Sequence, residues 1–284
     1  MTIRELLRRA AHLLAEAGSE EADLEAELLL AHALGIDRVH LYQRLPEDVS
    51  PEQEQGFQAL LDRRLAHEPT AYILGHREFY GLELEVTPAA IIPRPETEVL
   101  VELALAFIRP RVSSPEFRVV DVGVGSGAIA VALAANLPPA VQVIATDLSP
   151  EALALARRNA ARHGLQDRIA FLQGDLLEPL DGPVYLIAAN LPYVPTADWE
   201  QLPPEIRAHE PRAGLDGGPD GLRLIERLLR QAPAYLNPGG ALFAEISDEQ
   251  GEAARRLAAA CFPNAAVDVK PDLSALDRVL VVRM

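Results

Sequence analysis

The chain has 284 residues, of which 49% are hydrophobic and 24% are charged. This length is typical of two domains, and the apolar content supports a sizeable core and excludes wholesale disorder. Acidic residues outnumber basic ones by 42 to 26, giving a formal net charge of −16. Such a surface repels phosphate backbones, so a direct nucleic-acid partner is disfavoured and a basic protein partner fits better.

The N-terminus and the single cysteine bear on the cellular compartment. Residues 1–9 interleave charges with leucines and lack the apolar stretch of a signal peptide or membrane span. Cys261 cannot form an internal disulfide, and a small buried helix residue is a better interpretation than a catalytic thiol. We therefore expect a cytoplasmic protein without a membrane partner. The histidines are scattered and no cysteine pair exists, so we also expect no metal site.

The first seventy-odd residues have helical periodicity. Residues 2–17 carry an apolar stripe that stops at a glycine, and Ser19 is expected to cap a second helix that runs to Gly35. Ser50 begins a Ser-Pro-Glu-Gln capping box, which predicts a helix towards Leu65. No chemical motif occurs here. A packing unit and a partner-recognition module remain equally open.

The hydrophobic pattern changes after these helical segments. Residues 78–86 alternate around Gly81, which is typical of a β-hairpin, and residues 87–95 form a proline-bearing connector. The predicted segments are a helical N-terminal domain at 1–74, a β-hairpin linker at 75–94 and an α/β domain at 95–284.

From Pro95 onward, helical and strand patterns alternate. The predicted helices are 95–109, 126–136, 150–163, 220–235 and 248–261, and the predicted strands are 117–122, 141–146, 169–173, 183–189, 240–246, about 265–270 and about 278–283. This alternation indicates a mostly parallel sheet with helices on both faces. The last two strands are expected to add an antiparallel edge.

A glycine loop follows the first strand of this region. Gly123, Gly125 and Gly127 alternate with Val124 and Ser126 before the next helix. Glycine permits a tight turn and the close approach of a ligand to backbone N–H groups. A dinucleotide fingerprint would have its third glycine one residue later, which weakens an NAD or FAD assignment. We expect a cofactor loop, although a purely structural turn remains open.

Two aspartates end the following strands. Asp147 lies 20 residues after Gly127, where an acidic side chain typically accepts hydrogen bonds from ribose hydroxyls. Asp175 ends the next strand, where it could meet an adenine amino group with Leu176 packed on the ring. A solvated helix cap or a turn cap is the alternative for each aspartate.

The strand at 183–189 ends in Asn190-Leu191-Pro192-Tyr193. An amide nitrogen is a weak nucleophile, so its methylation requires fixed orientation and polarised N–H bonds. The Asn190 side-chain oxygen and the Leu191 carbonyl could accept these N–H groups, while Pro192 stiffens the turn and Tyr193 flanks the planar group. The tetrapeptide and the glycine loop together predict methyl transfer onto a planar nitrogen.

With these motifs in order, the chain resembles the HemK/PrmC family of protein-(glutamine-N5) methyltransferases, which use S-adenosylmethionine. The matching stretches extend over nearly the whole sequence and are Gly75–Gly81, Ile92–Glu98, Asp121–Gly127, Asp147, Asn190–Tyr193, Glu210–Gly218 and Asp277–Val279. The resemblance implies a Rossmann-like class I methyltransferase domain after a helical domain that helps to dock the protein substrate. It also implies methylation of the glutamine in the Gly-Gly-Gln motif of class I peptide-chain release factors.

The resemblance assigns roles to individual residues. It implies that the glycine loop and Asp147 bind the cofactor. Together with the strand-end residues, the predicted cofactor set is Gly123, Val124, Gly125, Ser126, Gly127, Asp147, Asp175, Leu176 and Asn190. The tetrapeptide is expected to hold the glutamine amide, with Asn190, Pro192 and Tyr193 as its catalytic members. The family usually has Asn-Pro-Pro-Tyr, so Leu191 is a departure that bears on substrate positioning more than on reaction type.

The sequence leaves three other functions open. A glutamine methyltransferase of a ribosomal protein would share both domains and the tetrapeptide. An adenine-N6 nucleic-acid methyltransferase would hold a similar planar group, but the negative charge argues against it. A non-catalytic adaptor would keep the glycine loop without requiring Asn190.

Overall fold

The structure, a computed structural model, describes residues 1–111 and 117–284. They divide into two compact units: Met1–His76 with Pro203–His209, and Arg77–Leu202 with Glu210–Met284. The hairpin expected in the linker lies within the second unit, and a short later segment joins the first. Within the described ranges, we find no helix whose length and apolar character would let it span a bilayer.

Helices occur in both units. In chain order they are α1 (Ile3–Glu16), α2 (Ala22–Leu34), α3 (Arg38–Gln43), α4 (Pro51–Leu65), α5 (Thr70–Leu74), α6 (Thr97–Ile108), α7 (Ala128–Asn136), α8 (Pro150–Arg162), α9 (Pro204–His209), α10 (Arg223–Gln231) and α11 (Gly251–Cys261). The strands are β1 (His76–Phe79), β2 (Leu82–Glu85), β3 (Arg118–Val122), β4 (Gln142–Asp147), β5 (Ile169–Gln173), β6 (Val184–Ala189), β7 (Val194–Pro195), β8 (Asp216–Gly218), β9 (Leu236–Glu245), β10 (Ala266–Pro271) and β11 (Asp277–Arg283).

The first unit packs α1, α2 and α4 around a shared apolar core. The predicted capping box at Ser50 is confirmed, because its side chain accepts from the Gln53 N–H and the Gln53 side chain accepts from the Ser50 N–H. The prediction for Ser19 is wrong. Glu21 occupies the N-cap of α2, while the Ser19 hydroxyl donates to Glu25.

The second unit contains a seven-stranded sheet in the order β10-β11-β9-β6-β3-β4-β5. The five strands from β9 to β5 are parallel, and β11 pairs antiparallel with β9 and with β10. The predicted mostly parallel sheet with an antiparallel edge is therefore confirmed. Helices cover both faces and create two apolar cores, one on each side of the sheet.

The position of the site follows from this strand order. β3 lies between β4 and β6, so the chain leaves β3 towards one side of the sheet and later returns on the other. A crevice opens at such a switch point beyond the carboxyl ends of the strands. The loops after β3 and β6 both leave the sheet at this crevice.

Some predicted boundaries differ from the structure. The helix expected at 220–235 ends at Gln231 and continues as a 3-10 turn at Ala232–Ala234, where Pro233 cannot donate a helical hydrogen bond. The strand expected at 240–246 begins at Leu236. The short strands β7 and β8 were not predicted, because two or three residues carry no readable periodicity.

Candidate active site

A cavity of about 290 Å³ lies at the carboxyl ends of β3, β4, β5 and β6, near the lower end of the size range of small-molecule sites. All of its lining residues belong to the second unit. Six of the predicted cofactor residues line it together: Gly123, Gly125, Asp147, Asp175, Leu176 and Asn190. Leu191 and Pro192, from the predicted substrate set, also contribute to its wall.

The glycine loop has the backbone that only glycine adopts easily. Gly123, Gly125 and Gly127 have φ angles of +76°, +52° and +90°. The Gly123 and Val124 N–H groups both donate to the carbonyl of Thr146 at 2.9 Å, which ties the loop to the end of β4. Gly123 and Gly125 line the cavity.

The other three residues of the loop are turned into the protein. Val124 and Ser126 are buried, and the Ser126 carbonyl accepts from Asn159 at 2.8 Å. A Cβ atom on Gly127 would lie 3.1 Å from the Cβ atom of Ala156, so this glycine permits close packing of α8 on the loop. These residues shape the glycine loop without lining the cavity.

Asp147 connects the end of β4 to the glycine loop. Its Oδ2 atom accepts from the Gly125 N–H at 3.0 Å, and its Oδ1 atom accepts from the Ser149 N–H at 2.9 Å. Each carboxylate oxygen has a further acceptor site. The Asp147 carboxylate can therefore hold the loop and still accept hydroxyl groups of a ligand.

Asp175 and Leu176 form the cavity wall after β5. Asp175 Oδ2 is ion-paired with Arg227, whereas Oδ1 is buried and has no hydrogen-bond partner among the described residues. Leu176 has a φ angle of +50°, and its carbonyl accepts from the Thr146 hydroxyl at 2.8 Å. The structure thus leaves a buried acceptor beside an apolar side chain at the predicted adenine position.

Asp121 begins the stretch Asp121–Gly127, and its carboxyl group is buried. The sequence suggested no role for it. Its Oδ2 atom accepts from the Ala130 N–H at 3.0 Å, and its Oδ1 atom has no partner within the described ranges. Burial raises the pKa of Asp121 to about 7; the Ala130 hydrogen bond opposes this shift and the negative charge of Asp147 adds to it.

Residues 190–193 leave β6 at the switch point. Asn190 and Leu191 line the main cavity and also a smaller neighbouring cavity of about 20 Å³, to which Arg94 and Tyr193 contribute. They therefore form the wall between the two spaces. Tyr193 lines only the smaller one.

The side chains of Asn190 and Tyr193 are held by two buried polar residues. Asn190 Nδ2 donates to Thr97 Oγ1 at 3.0 Å, and the Tyr193 hydroxyl donates to Glu245 Oε1 at 3.1 Å. Burial raises the pKa of Glu245, and the nearby hydroxyls of Thr97 and Tyr193 oppose this shift. Burial, followed by the Glu245 charge, raises the pKa of Tyr193, so its hydroxyl stays protonated.

Strand register explains why these residues meet. Ala189 of β6 pairs with Ala244 of β9, so Asn190, the first residue after β6, and Glu245, the last residue of β9, lie side by side. The Tyr193 carbonyl is held separately by Gln250, whose Nε2 atom donates to it at 2.9 Å. Thr97 lies in the matching stretch Ile92–Glu98, which the resemblance placed near the cofactor pocket without a role for this residue. Glu245 and Gln250 were not identified as parts of the site.

Two family models match separate parts of the chain. A PrmC N-terminal domain model matches residues 5–75, and a methyltransferase domain model matches residues 119–211. A release factor glutamine methyltransferase from Geobacter sulfurreducens is 50% identical over 252 residues, covering 88% of this chain and 86% of that protein. The chain belongs to the release factor glutamine methyltransferase family.

Further relatives extend the match over the full length. The Moorella thermoacetica member is 45% identical and covers 98% of this chain and 97% of its own. The Deinococcus radiodurans member is 42% identical and covers 100% and 99%. A solved methyltransferase from Pyrococcus furiosus aligns with a TM-score of 0.51 at 16% identity, covering 81% of this chain and 98% of that one. That likeness concerns the fold, and the predicted Rossmann-like class I methyltransferase architecture is confirmed.

The matching stretch Glu210–Gly218 helps to build the cavity wall. Glu210 is buried; one of its oxygens accepts from Arg94 and the other from the Ile92 N–H at 3.1 Å. Pro211 and Gly214 follow it and line the main cavity. Glu210 therefore ties the 92–94 segment to this part of the cavity wall.

Proposed function

We propose that this protein transfers a methyl group from S-adenosylmethionine to the side-chain nitrogen, N5, of the glutamine in the Gly-Gly-Gln motif of class I peptide-chain release factors. One observation carries the proposal: the glycine loop after β3 and Asn190 after β6 line the same cavity. A cofactor held by the first would therefore face an amide held by the second.

The cavity suits the cofactor in size and chemistry. Gly123 and Gly125 let a ligand approach the backbone, and Asp147 offers acceptor sites for ribose hydroxyls. The unpartnered Asp175 Oδ1 atom offers an acceptor for the adenine amino group, with Leu176 beside it. S-adenosylmethionine supplies the electrophilic methyl group when bound. We assign the roles implied by the resemblance to these residues, with Val124, Ser126 and Gly127 shaping the loop.

The tetrapeptide supplies orientation for the acceptor. Because Asn190 Nδ2 donates to Thr97, its Oδ1 atom is the group that can accept a glutamine N–H. The Leu191 carbonyl accepts the second N–H, Pro192 restricts the turn, and the Tyr193 ring flanks the planar amide. Holding both N–H groups polarises them and aligns the nitrogen lone pair with the methyl carbon, which lowers the activation barrier without a strong base.

The acceptor that we propose is a protein. The net charge of −16 suits a basic protein partner and disfavours direct nucleic-acid binding. We assign residues 1–74 to docking of the release factor, 75–94 to the hairpin linker and 95–284 to the methyltransferase domain. Methylation of a release factor places the protein in the cytoplasm, where translation ends, and requires no membrane partner.

The decisive experiment incubates the full chain with methyl-labelled S-adenosylmethionine and a purified release factor, followed by mass-spectrometric localisation of the methyl group. We expect a single mark on the Gly-Gly-Gln glutamine, absent when that glutamine is replaced by alanine. Ribosomal proteins and total RNA serve as parallel acceptors. Label on a ribosomal protein instead, or label that RNase removes, would overturn the proposed substrate.

A further inference from the structure

Thr97 is the first residue of α6, and only 3% of its surface is exposed. Its backbone is fixed by an N–H bond to the Arg94 carbonyl at 3.1 Å, so its hydroxyl has a defined place beneath the Asn190 side chain. The Thr97 oxygen accepts the Asn190 amide N–H at 3.0 Å.

Two hydrogen bonds hold side chains of the tetrapeptide. Thr97 accepts from Asn190, and Glu245 accepts from the Tyr193 hydroxyl at 3.1 Å. A side-chain amide has two nearly isosteric orientations that exchange its donor and acceptor ends. Only the orientation with Nδ2 towards Thr97 leaves Oδ1 free to accept from a substrate.

We propose that Thr97 and Glu245 are positioning residues that select the amide orientation of Asn190 and the ring position of Tyr193. This inference rests on the proposed glutamine methylation, but it concerns residues that do not contact the reacting atoms. Thr97 acts through Asn190, and Glu245 acts through Tyr193. Two buried polar residues thereby orient two members of the tetrapeptide.

The matched variants are Thr97→Val, which keeps the shape of the side chain and removes the hydroxyl, and Thr97→Ser, which keeps the hydroxyl. A buried group that loses its partner costs about 1–3 kcal/mol, so Thr97→Val should lower kcat on the order of 10- to 100-fold. We expect Thr97→Ser to restore most of this loss. The Kd for S-adenosylmethionine should stay within about twofold in both, because neither change touches the cofactor loop.

A second readout does not depend on turnover. The side-chain amide protons of Asn190 are assigned in the NMR spectrum as the pair that disappears in Asn190→Ala. Their hydrogen exchange should be about tenfold faster in Thr97→Val than in the parent protein and nearly normal in Thr97→Ser. Thr196→Val is the control, since the Thr196 hydroxyl also donates to a carboxylate, Asp216, but lines neither cavity, and its loss should leave kcat unchanged.

The outcomes separate the two proposals. Equal losses in the serine and valine variants, or unchanged Asn190 exchange in Thr97→Val, would overturn the positioning role. If the parent protein methylates no release factor, the proposed substrate is overturned. Faster exchange of the Asn190 amide protons in Thr97→Val would still support the positioning of Asn190 by Thr97. If Thr97→Val does not fold, as judged by its thermal transition, Thr97→Ala removes the same hydroxyl from a smaller side chain.

Discussion

The Leu191 side chain packs directly on Gly123: its Cδ2 atom lies 2.9 Å from the position that a Cβ atom on Gly123 would occupy. The residue that departs from the usual family tetrapeptide therefore does more than offer a carbonyl. Its side chain connects the proposed substrate loop to the cofactor loop and is buried in doing so.

Gly123→Ala is expected to weaken cofactor binding. Alanine at a φ angle of +76° costs roughly 1 kcal/mol, and its methyl group would also push against Leu191. Calorimetry should show a Kd for S-adenosylmethionine raised on the order of tenfold or more. Adding Leu191→Ala should recover part of this loss. Gly164→Ala is the matched control, because Gly164 has a φ angle of +67° with open space around it. Equal Kd values for both glycine variants would contradict the packing argument.

Asp147→Asn tests the acidic residue at the end of β4. The change removes the negative charge and one acceptor oxygen while keeping the size of the side chain. Hydrogen bonds to charged groups contribute about 1.5–3 kcal/mol, so the Kd for S-adenosylmethionine should rise about 10- to 100-fold. Asp167→Asn, at an exposed position after α8, should leave the Kd unchanged. An unchanged Kd in Asp147→Asn would remove this residue from the cofactor site.

Asn190→Ala should lower kcat by about 100-fold or more, since the glutamine amide loses its orienting acceptor. Asn190→Asp should not recover this loss. An aspartate cannot donate to Thr97 when ionised, and its charge would lie beside buried Glu245. Initial rates with saturating release factor and cofactor measure the effect. Turnover close to that of the parent protein in either variant would exclude the assigned role.

Asp121 should make the stability of the protein depend on pH. Its folded pKa of about 7 lies above the roughly 3.9 of an unfolded aspartate, so the folded state retains a proton that the unfolded state releases. The free energy of unfolding should therefore fall as pH rises from about 4 to about 7, by up to about 4 kcal/mol from this group.

Urea unfolding of the parent protein and of Asp121→Asn across this pH range isolates that contribution. The asparagine cannot ionise, so the stability difference between the two proteins should change with pH between about 4 and 7 and become constant above it. A difference that is constant throughout would mean that Asp121 titrates at its ordinary pKa.

Local patterns predicted much of the fold. The alternation after Pro95 gave the order of helices and strands, and the Ser50 capping box is complete within four residues. The prediction for Ser19 was wrong because its hydroxyl has another partner. It donates to Glu25, which also pairs with Arg64, 39 residues further along the chain. A serine before an acidic turn does not reveal such a partner.

The candidate site also contains residues that local patterns predicted and residues that they did not. Gly123, Asp147 and Asn190 each stand at the end of a strand with a readable pattern, and the switch-point geometry brings strand ends of this kind together. Thr97 begins a helix 93 residues before Asn190, and nothing in its neighbourhood indicates that the two would meet. Their contact depends on strand order and register, which neither segment encodes by itself.

The sequence by itself determined the class of fold and the positions of the glycine loop and the tetrapeptide at strand ends, because backbone conformation and hydrophobic periodicity are set by near neighbours in the chain. Only the tertiary structure decided that Leu191 packs on Gly123, that Thr97 meets Asn190 and that Glu245 meets Tyr193. Such contacts depend on the pairing of distant strands, here Ala189 with Ala244, and a shift of one residue would turn the Glu245 side chain to the other face of the sheet.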